Sequence, residues 1–497
     1  MKMPSLSPYL AIVAALGYPV LSSHAAPMPG DADFPTAKPC ARHDQKVAAV
    51  KSGSYGLVLI GDSITQTIGE IGGEWAPLRA VWEKHYAPRH ALNLGYSGYR
   101  TENILWNLQN GELDFTESPK VVMLLIGTNN TEDQHYPHLH TAEEAFAGTK
   151  AIVDLIRQRH PTTKILVLRI FPCGGPRSQT SFHRSYNRSA KALDAARRAG
   201  EMTARLADNE HVFWRDIGYV FLRPDGSINT DLMPDLIHPN AAGAEAWAQA
   251  IEPTLAQLMG DTPIVDPQLS SVTPVPRKDG QYDWPARHAA ALAAKATDPQ
   301  IVFIGDSITH FLGGIPTPAG AFASPRGTEF WEEICPPSRP GLNLGFGADW
   351  TQHVLWRIDH GELDGISPRH VVLMIGTNNI LHSSGHNGEG GAEAVVAGVR
   401  ACLVRIRSKV PDARIILMGV LPCGNPAASP LRATVAEVNT GLKALALEAK
   451  CDFLDIGGEF LDADGNIPPA LMGDAIHPTP AGYGLWSSAL APLLNSR

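Results

Sequence analysis

The stretch "LVLIGDSITQ", Leu57 to Gln66, decides the fold. An apolar run too short for a helix, stopped by Gly-Asp-Ser, is the pattern of a strand buried on both faces that ends in a turn. Such strands belong to parallel sheets covered by helices. Nearly the same phrase returns as "IVFIGDSITH", Ile301 to His310. In these sheets ligands bind beyond the carboxyl ends of the strands. A serine placed there can act as a nucleophile, provided the chain also supplies a base and donors for an oxyanion.

The repetition extends along the whole chain. "NLGYSGYRTENILWNLQNGELD" from Asn93 answers to "NLGFGADWTQHVLWRIDHGELD" from Asn343, and "VVMLLIGTNN" ending at Asn130 to "VVLMIGTNN" ending at Asn379. "ILVLRIFPCGGP" from Ile165 pairs with "IILMGVLPCGNP" from Ile415, and "PDLIHPNAAG" from Pro234 with "GDAIHPTPAG" from Gly473. The period is that of a whole domain, not of a solenoid unit. We expect one domain over 34–259 and a second over 281–497. Residues 260–280, rich in proline and polar residues without helix or strand period, read as a linker. Within each copy, "GLVLI", "KVVMLLIG" and "KILVLRIF" read as buried strands. "AEEAFAGTKAIVDLIRQRH" has helical spacing, with Phe146, Ile152 and Ile156 on one side. Strand-helix-strand alternation implies a mainly parallel sheet with helices on both faces.

The 497 residues are 44% apolar and 18% charged, with a net charge of -9 and no long run of one sign. That balance excludes a clustered basic surface for nucleic acid. At the N-terminus, Lys2 precedes "YLAIVAALGYPVL" and the small-residue stretch "SSHAAP". This reads as a secretory signal over residues 1–25, cleaved after Ala25 or Ala26. The expectation is a secreted or periplasmic protein with no integral membrane segment, since no later apolar run approaches spanning length. Six cysteines are too few for a disulfide scaffold, although export would permit one or more bridges.

Ester hydrolysis through serine needs an exposed hydroxyl, a base, a group orienting that base, and oxyanion donors. The first copy offers Ser63 at a strand end, Asp235 and His238 in one D-x-x-H turn, the Asn129 amide and the glycine turn of "GYSGY". Each block alone is ordinary: a turn, a cap, a loop whose asparagines hold their own backbone. All of them in order, twice, each where a sheet should end, are not.

Together "GDSIT", "NLGYSG", "IGTNN" and "DLIH" resemble the blocks of the SGNH, or GDSL-type, serine hydrolases. The spelling from "ALNLGYSGYRTENILWNLQNGELD" to "GTNN" is similar to the catalytic subunits of the intracellular platelet-activating factor acetylhydrolases. The resemblance covers nearly all of both copies. It implies two tandem flavodoxin-like domains, each a three-layer α/β/α sandwich, and a serine esterase that uses no cofactor or metal. By position it makes Ser63 the nucleophile, His238 the base and Asp235 its orienting partner. Ser307, His477 and Asp474 are their counterparts. Gly98 and Asn129 would line the first oxyanion hole, and Ala348 and Asn378 the second.

Ala348 departs from the glycine of the pattern. If the turn requires a positive φ, alanine is strained there by roughly 1–2 kcal/mol. A shifted turn would then misplace an N–H donor and leave the first copy with most of the turnover. Arg100, its replacement Trp350, and His135 are the expected substrate contacts. His135, His138 and His140 also raise a zinc site, which the second copy, with only His382 and His386 in that loop, does not repeat. A polar loop touching substrate is the preferred role. Removal of acetyl or similarly short acyl groups is what the resemblance implies. An exported chain meets acetylated carbohydrate more readily than an intracellular ether lipid, so carbohydrate is the expected partner. Tyr96, Tyr99 and Trp350 are candidates to stack on sugar, or else packing residues. The competing readings are a lipid or lysophospholipid esterase, and a glycan-binding protein with one catalytically weak copy.

Overall fold

The computed structural model describes residues 40–69, 73–133, 136, 138–174, 188–264, 270–278, 282–314, 316, 324–381 and 391–495. The expected leader at 1–25, the expected domain starts at 34 and 281, and His135, His382 and His386 lie outside the described residues.

The apolar runs form strands where their spacing predicts them. In the first copy these are β1 (Leu57–Gly61), β2 (Ala91–Gly95), β3 (Val121–Leu125), β4 (Lys164–Leu168) and β5 (Val212–Arg215). In the second they are β6 (Ile301–Gly305), β7 (Gly341–Gly345), β8 (His370–Met374), β9 (Arg414–Met418) and β10 (Asp452–Leu454). Each set makes a five-stranded sheet, β2-β1-β3-β4-β5 and β7-β6-β8-β9-β10. Every pairing is parallel. This 2-1-3-4-5 order is the flavodoxin-like one, whose ligand crevice opens where the winding reverses between the first and third strands.

Strand alternation sends successive side chains to opposite helix layers. Leu57 and Leu59 pack with Ile68, Val81 and Trp247, whereas Val58 and Ile60 pack with Ile104, Leu108 and Ile152. The second copy repeats this: Ile301 and Phe303 meet Trp331 and Trp486, while Val302 and Ile304 meet Leu355 and Val399. Each fully buried Leu or Ile contributes about 1.5–3 kcal/mol relative to exposure, so this two-sided burial fixes the strand register.

The helix expected after β3 spans Ala142–Arg159. It starts at a capping box in which Thr141 and Glu144 satisfy each other's N–H groups. Ile152 and Ile156 are buried as expected, but Phe146 is only half-buried, and Ala145, Gly148 and Thr149 complete the inner face instead. Gly148 permits the closest approach. A Cβ there would lie 2.2 Å from Thr101 Oγ1, and one at Gly398 would lie 2.5 Å from Thr351 Oγ1. Small residues at these points let the helix lie directly on the segment that follows the "GYSGY" or "GFGAD" turn.

The segment between the copies is better held than its composition suggests. Gly260, at φ 71, caps the helix Ala241–Met259. Asp261 then pairs with the buried Arg89, which also binds Glu252. Further on, Ser270–Val272 form a short 3-10 turn whose Ser271 carbonyl accepts from Thr351 Oγ1 at 2.8 Å. Arg277 donates to the Gly347 carbonyl at 2.7 Å. Among the described residues of this segment, such anchors to distant partners leave no mark in its periodicity. The copies also touch directly: Lys409 bridges Asp216 and Asp364, and the Arg405 guanidinium lies 3.7 Å over the Tyr219 ring. All six cysteines are free thiols, four of them buried, so the bridges that export would permit are absent. No described helix is long and apolar enough to cross a membrane.

Candidate active site

The Gly-Asp-Ser phrase breaks β1 because Asp62 turns inward and caps the next segment. Its Oδ1 accepts the Ile64 N–H at 3.0 Å, and Ser63 becomes the first residue of the helix Ser63–Gly69. Asp306 does the same for Ile308, also at 3.0 Å, and Ser307 opens the helix Ser307–Phe311. Each serine therefore stands at the carboxyl end of the strand beside the winding reversal.

The D-x-x-H turns arrive from the far end of each copy. Asp235 Oδ1 accepts the N–H groups of Ile237 and His238 at 3.0 and 2.7 Å. The residue after each aspartate takes a left-handed conformation, Leu236 at φ 68 and Ala475 at φ 57. Its carbonyl accepts an N–H from the PCG loop: Gly174 donates to Leu236 at 2.9 Å, and Gly424 to Ala475 at 3.1 Å. Strain held by such a network is common where a side chain must be aimed. The aim is at serine. His238 Nδ1 lies 2.6 Å from Asp235 Oδ2, and its Nε2 lies 2.8 Å from Ser63 Oγ. In the second copy His477 Nδ1 lies 2.7 Å from Asp474 Oδ2, and Nε2 lies 2.8 Å from Ser307 Oγ.

Electrostatics favour the ionised aspartate. Burial alone would raise Asp235, but His238 and two backbone N–H groups hold it below its ordinary range. The same balance, burial against those hydrogen bonds, lowers Asp474. The two differ in exposure: the Asp235 side chain is 20% exposed and the Asp474 side chain 47%.

Gly98 has φ 75 and Ala348 φ 56, so the alanine adopts the glycine's conformation and the turn is not displaced. Asn129 Nδ2 donates to the Tyr99 carbonyl at 2.9 Å, and Asn378 Nδ2 to the Asp349 carbonyl at 2.8 Å. The two turns share this asparagine bond, and the strain at Ala348 stays within the second.

The expected substrate contacts fare differently. Arg100 is fully buried. Its guanidinium donates to the carbonyls of Asn129 and His138 and stacks 4.4 Å over the Tyr136 ring. It holds the loop after β3 from behind, because Glu102, 3.8 Å away, gives the charge a buried partner. His140 is likewise buried, beside the Asn130 amide, and burial lowers its pKa; His138 is exposed. Among the described residues no three metal-binding side chains converge. Tyr96 is buried, donates to Glu112 and stacks on Tyr99 at 4.7 Å, which makes it a packing residue. Trp350 is half-buried, and its backbone N–H donates to His353 Nδ1 at 3.0 Å.

Other residues at the site carry no motif. The Trp75 ring flanks His238 at 5.6 Å, and Phe311 flanks His477 at 5.3 Å while Arg326 lies 4.4 Å over the Phe311 ring. Arg42 and Arg287 donate to the carbonyls of Gly95 and Gly345, while the histidines beside them, His43 and His288, bind Glu112 and Glu362. The repeated "ARH" at Ala41–His43 and Ala286–His288 was the signal for this pair.

Residues 59–246 and 303–485 each match the model of the GDSL-like Lipase/Acylhydrolase family. The chain belongs to this family. As a GDSL chain it is similar to the platelet-activating factor acetylhydrolase IB subunit alpha1 of Homo sapiens, at 36% identity over 45% of this chain and 88% of that protein. The alpha2 subunit of Rattus norvegicus is 36% identical over 41% of this chain and 80% of its own length. Among solved structures, a GDSL-like lipase of Bacteroides thetaiotaomicron is 20% identical over 42% of this chain and 96% of its own, with a TM-score of 0.33. An acetylxylan esterase of Geobacillus stearothermophilus is 22% identical over 40% and 94%, with a TM-score of 0.33.

The GDSL aspartate also sets a pH dependence of stability. Burial raises Asp306 from 3.8 to about 7, and the neighbouring Asp349 adds to this. Between these values the unfolded chain is ionised and the folded one protonated. The contribution of this one group to stability is therefore full below about pH 4 and falls by up to about 1.4 kcal/mol per unit as pH rises to 7. Asp306→Asn keeps an oxygen for the Ile308 N–H and removes the charge. It should raise the melting temperature of the second copy at pH 8 and change it little at pH 4. A lower melting temperature at pH 8 would mean that the carboxylate is stabilising.

Proposed function

We propose that both copies hydrolyse acetyl or similarly short acyl esters, with acetylated carbohydrate as the substrate class. The observation that carries this is the unbroken chain from aspartate through histidine to serine in each copy, at 2.6 and 2.8 Å in the first and 2.7 and 2.8 Å in the second. In this mechanism Ser63 Oγ attacks the acyl carbon as its proton passes to His238 Nε2, while Asp235 holds the Nδ1–H and the imidazolium it becomes. The oxyanion is met by the N–H groups of Ser63 and Gly98 and by Asn129. An amide nitrogen carries two hydrogens, and the bond to Tyr99 fixes one so that the other is aimed. His238 then returns the proton to the leaving alcohol. Water repeats the sequence on the acyl-serine and frees the acid. Ser307, His477, Asp474, Ala348 and Asn378 take the same parts in the second copy.

Short acyl size is supported by the acetylhydrolase names of the similar subunits. The carbohydrate leaving group rests on export, which we read from residues 1–25. Arg100 enters this function as a positioning residue for the Asn129 loop, not as a substrate contact. We expect p-nitrophenyl acetate to be hydrolysed much faster than the octanoate ester, without loss to a chelator, since the charge on the oxyanion is met by amides. Acetylated polysaccharides should release acetate. Preference for the octanoate would replace this reading with a lipid esterase. Glycan binding without any turnover would replace it with a binding protein. Activity lost to EDTA and restored by zinc would return the histidine loop to the chemistry.

A further inference from the structure

The two serine phrases end differently, "IGDSITQ" against "IGDSITH", yet their last residues do one job. Gln66 Oε1 accepts the Ser97 N–H at 2.6 Å. His310 Nδ1 accepts the Gly347 N–H at 3.2 Å. Ser97 and Gly347 each immediately precede the residue, Gly98 or Ala348, whose N–H the esterase reading assigns to the oxyanion. A side chain one helical turn beyond the nucleophile thus ties the serine's helix to the oxyanion turn. Two chemically different acceptors reach the same backbone group in two copies of one fold.

We propose that Gln66 and His310 are positioning residues that hold the oxyanion turn in register with the nucleophile, an inference that rests on the esterase reading. An imidazole can play glutamine's part only if Nδ1 is unprotonated, with its proton on Nε2. Burial, reinforced by the cationic Arg287 and Arg357, pushes His310 down to about 2, so the ring is neutral, and the Gly347 N–H selects the tautomer whose Nδ1 accepts. The second turn also has a clamp on its other side. The Gly347 carbonyl accepts from Arg277 at 2.7 Å and from the Tyr282 hydroxyl at 3.4 Å. Gly347, the residue before Ala348, is therefore gripped at both its N–H and its carbonyl. Those grips oppose the tendency of an alanine to leave φ 56.

The test reads one copy at a time. In a Ser307→Ala chain, Gln66→Leu should lower kcat on p-nitrophenyl acetate on the order of 10- to 100-fold with KM little changed, because a misplaced oxyanion donor is missed only in the transition state. In a Ser63→Ala chain, His310→Leu should do the same, and His310→Gln should recover most of the loss. Gln66 is half-buried, so its substitution leaves folding intact and keeps the idea testable if His310→Leu does not fold. Amide hydrogen exchange supplies a readout that does not need turnover: Gln66→Leu should deprotect Ser97, and His310→Leu should deprotect Gly347. Wild-type kcat in Gln66→Leu, or His310→Gln as slow as His310→Leu, would overturn the proposal. If neither parent chain turns over ester, the esterase reading has failed instead. Unchanged exchange at Ser97 and Gly347 would then overturn the positioning role, and lost protection would uphold it.

Discussion

Ser63→Ala and Ser307→Ala combined should abolish hydrolysis of p-nitrophenyl acetate, and neither should do so alone. Each serine has its own histidine at 2.8 Å, so no residue of one triad substitutes for the other. Loss of both nucleophiles should lower kcat on the order of 10⁵- to 10⁶-fold, leaving only what bound amides do for a water molecule. The alanine at 348 would have predicted something else. A displaced donor slows such a reaction by roughly 100- to 1000-fold, and Ser63→Ala would then have removed nearly all turnover. With Ala348 at φ 56 and Asn378 bonded as Asn129 is, that asymmetry loses its cause. A fluorophosphonate should label two serines per chain, one in each single variant and none in the double. A single label on the wild-type chain would show that one constellation is assembled but inactive. Differences between the copies should appear instead on bulky leaving groups, where Trp75 beside the first histidine and Phe311 beside the second shape unlike walls.

What was legible in the sequence follows from what each residue type can signal. β1, β3 and β4 were plain because their residues are buried on both faces, so the apolar run itself is the message. Ser63, Asp235, His238 and Asn129 stood out because their blocks recur in order in both copies, and the resemblance suggested their roles. Arg100 was misjudged: a cation next to a catalytic turn suggests a substrate contact, and only the fold places Glu102 and two carbonyls around it. The angle at Ala348 was undecidable, since φ is not written in a side chain. The residues 260–280 looked free because anchoring by Arg277 and Ser271 needs partners distant in sequence. Gln66 and His310 were visible as a difference between the phrases, but an amide and an imidazole do not look alike until both are seen accepting the same N–H. The "ARH" pairs were a repeat without a motif, and what they hold is backbone.

The largest effect of a single change outside the serines is expected at Asp235. Its Oδ2 receives the Nδ1 hydrogen of His238 at 2.6 Å, which leaves Nε2 as the acceptor for the Ser63 proton. Asp235→Asn can place an amide N–H there instead, favouring the tautomer with hydrogen on Nε2 and disabling the base. In a Ser307→Ala chain this should lower kcat about 10⁴-fold. The fold should survive, because asparagine retains an oxygen for the N–H groups of Ile237 and His238 that Oδ1 now accepts. KM and the melting temperature should therefore change little. Asp474→Asn, in a Ser63→Ala chain, should cost less, on the order of 100- to 1000-fold, because water screens a more exposed pair. The Asp474 side chain is 47% exposed against 20% for Asp235, and His477 21% against 11% for His238. Solvent can also present an acceptor to Nδ1 once the carboxylate has gone. An unchanged rate in Asp235→Asn would remove this residue from the triad and require another group, such as a carbonyl, to orient His238. Equal losses in the two copies would leave Asp235 and Asp474 in place and show that exposure of the aspartate does not set its worth.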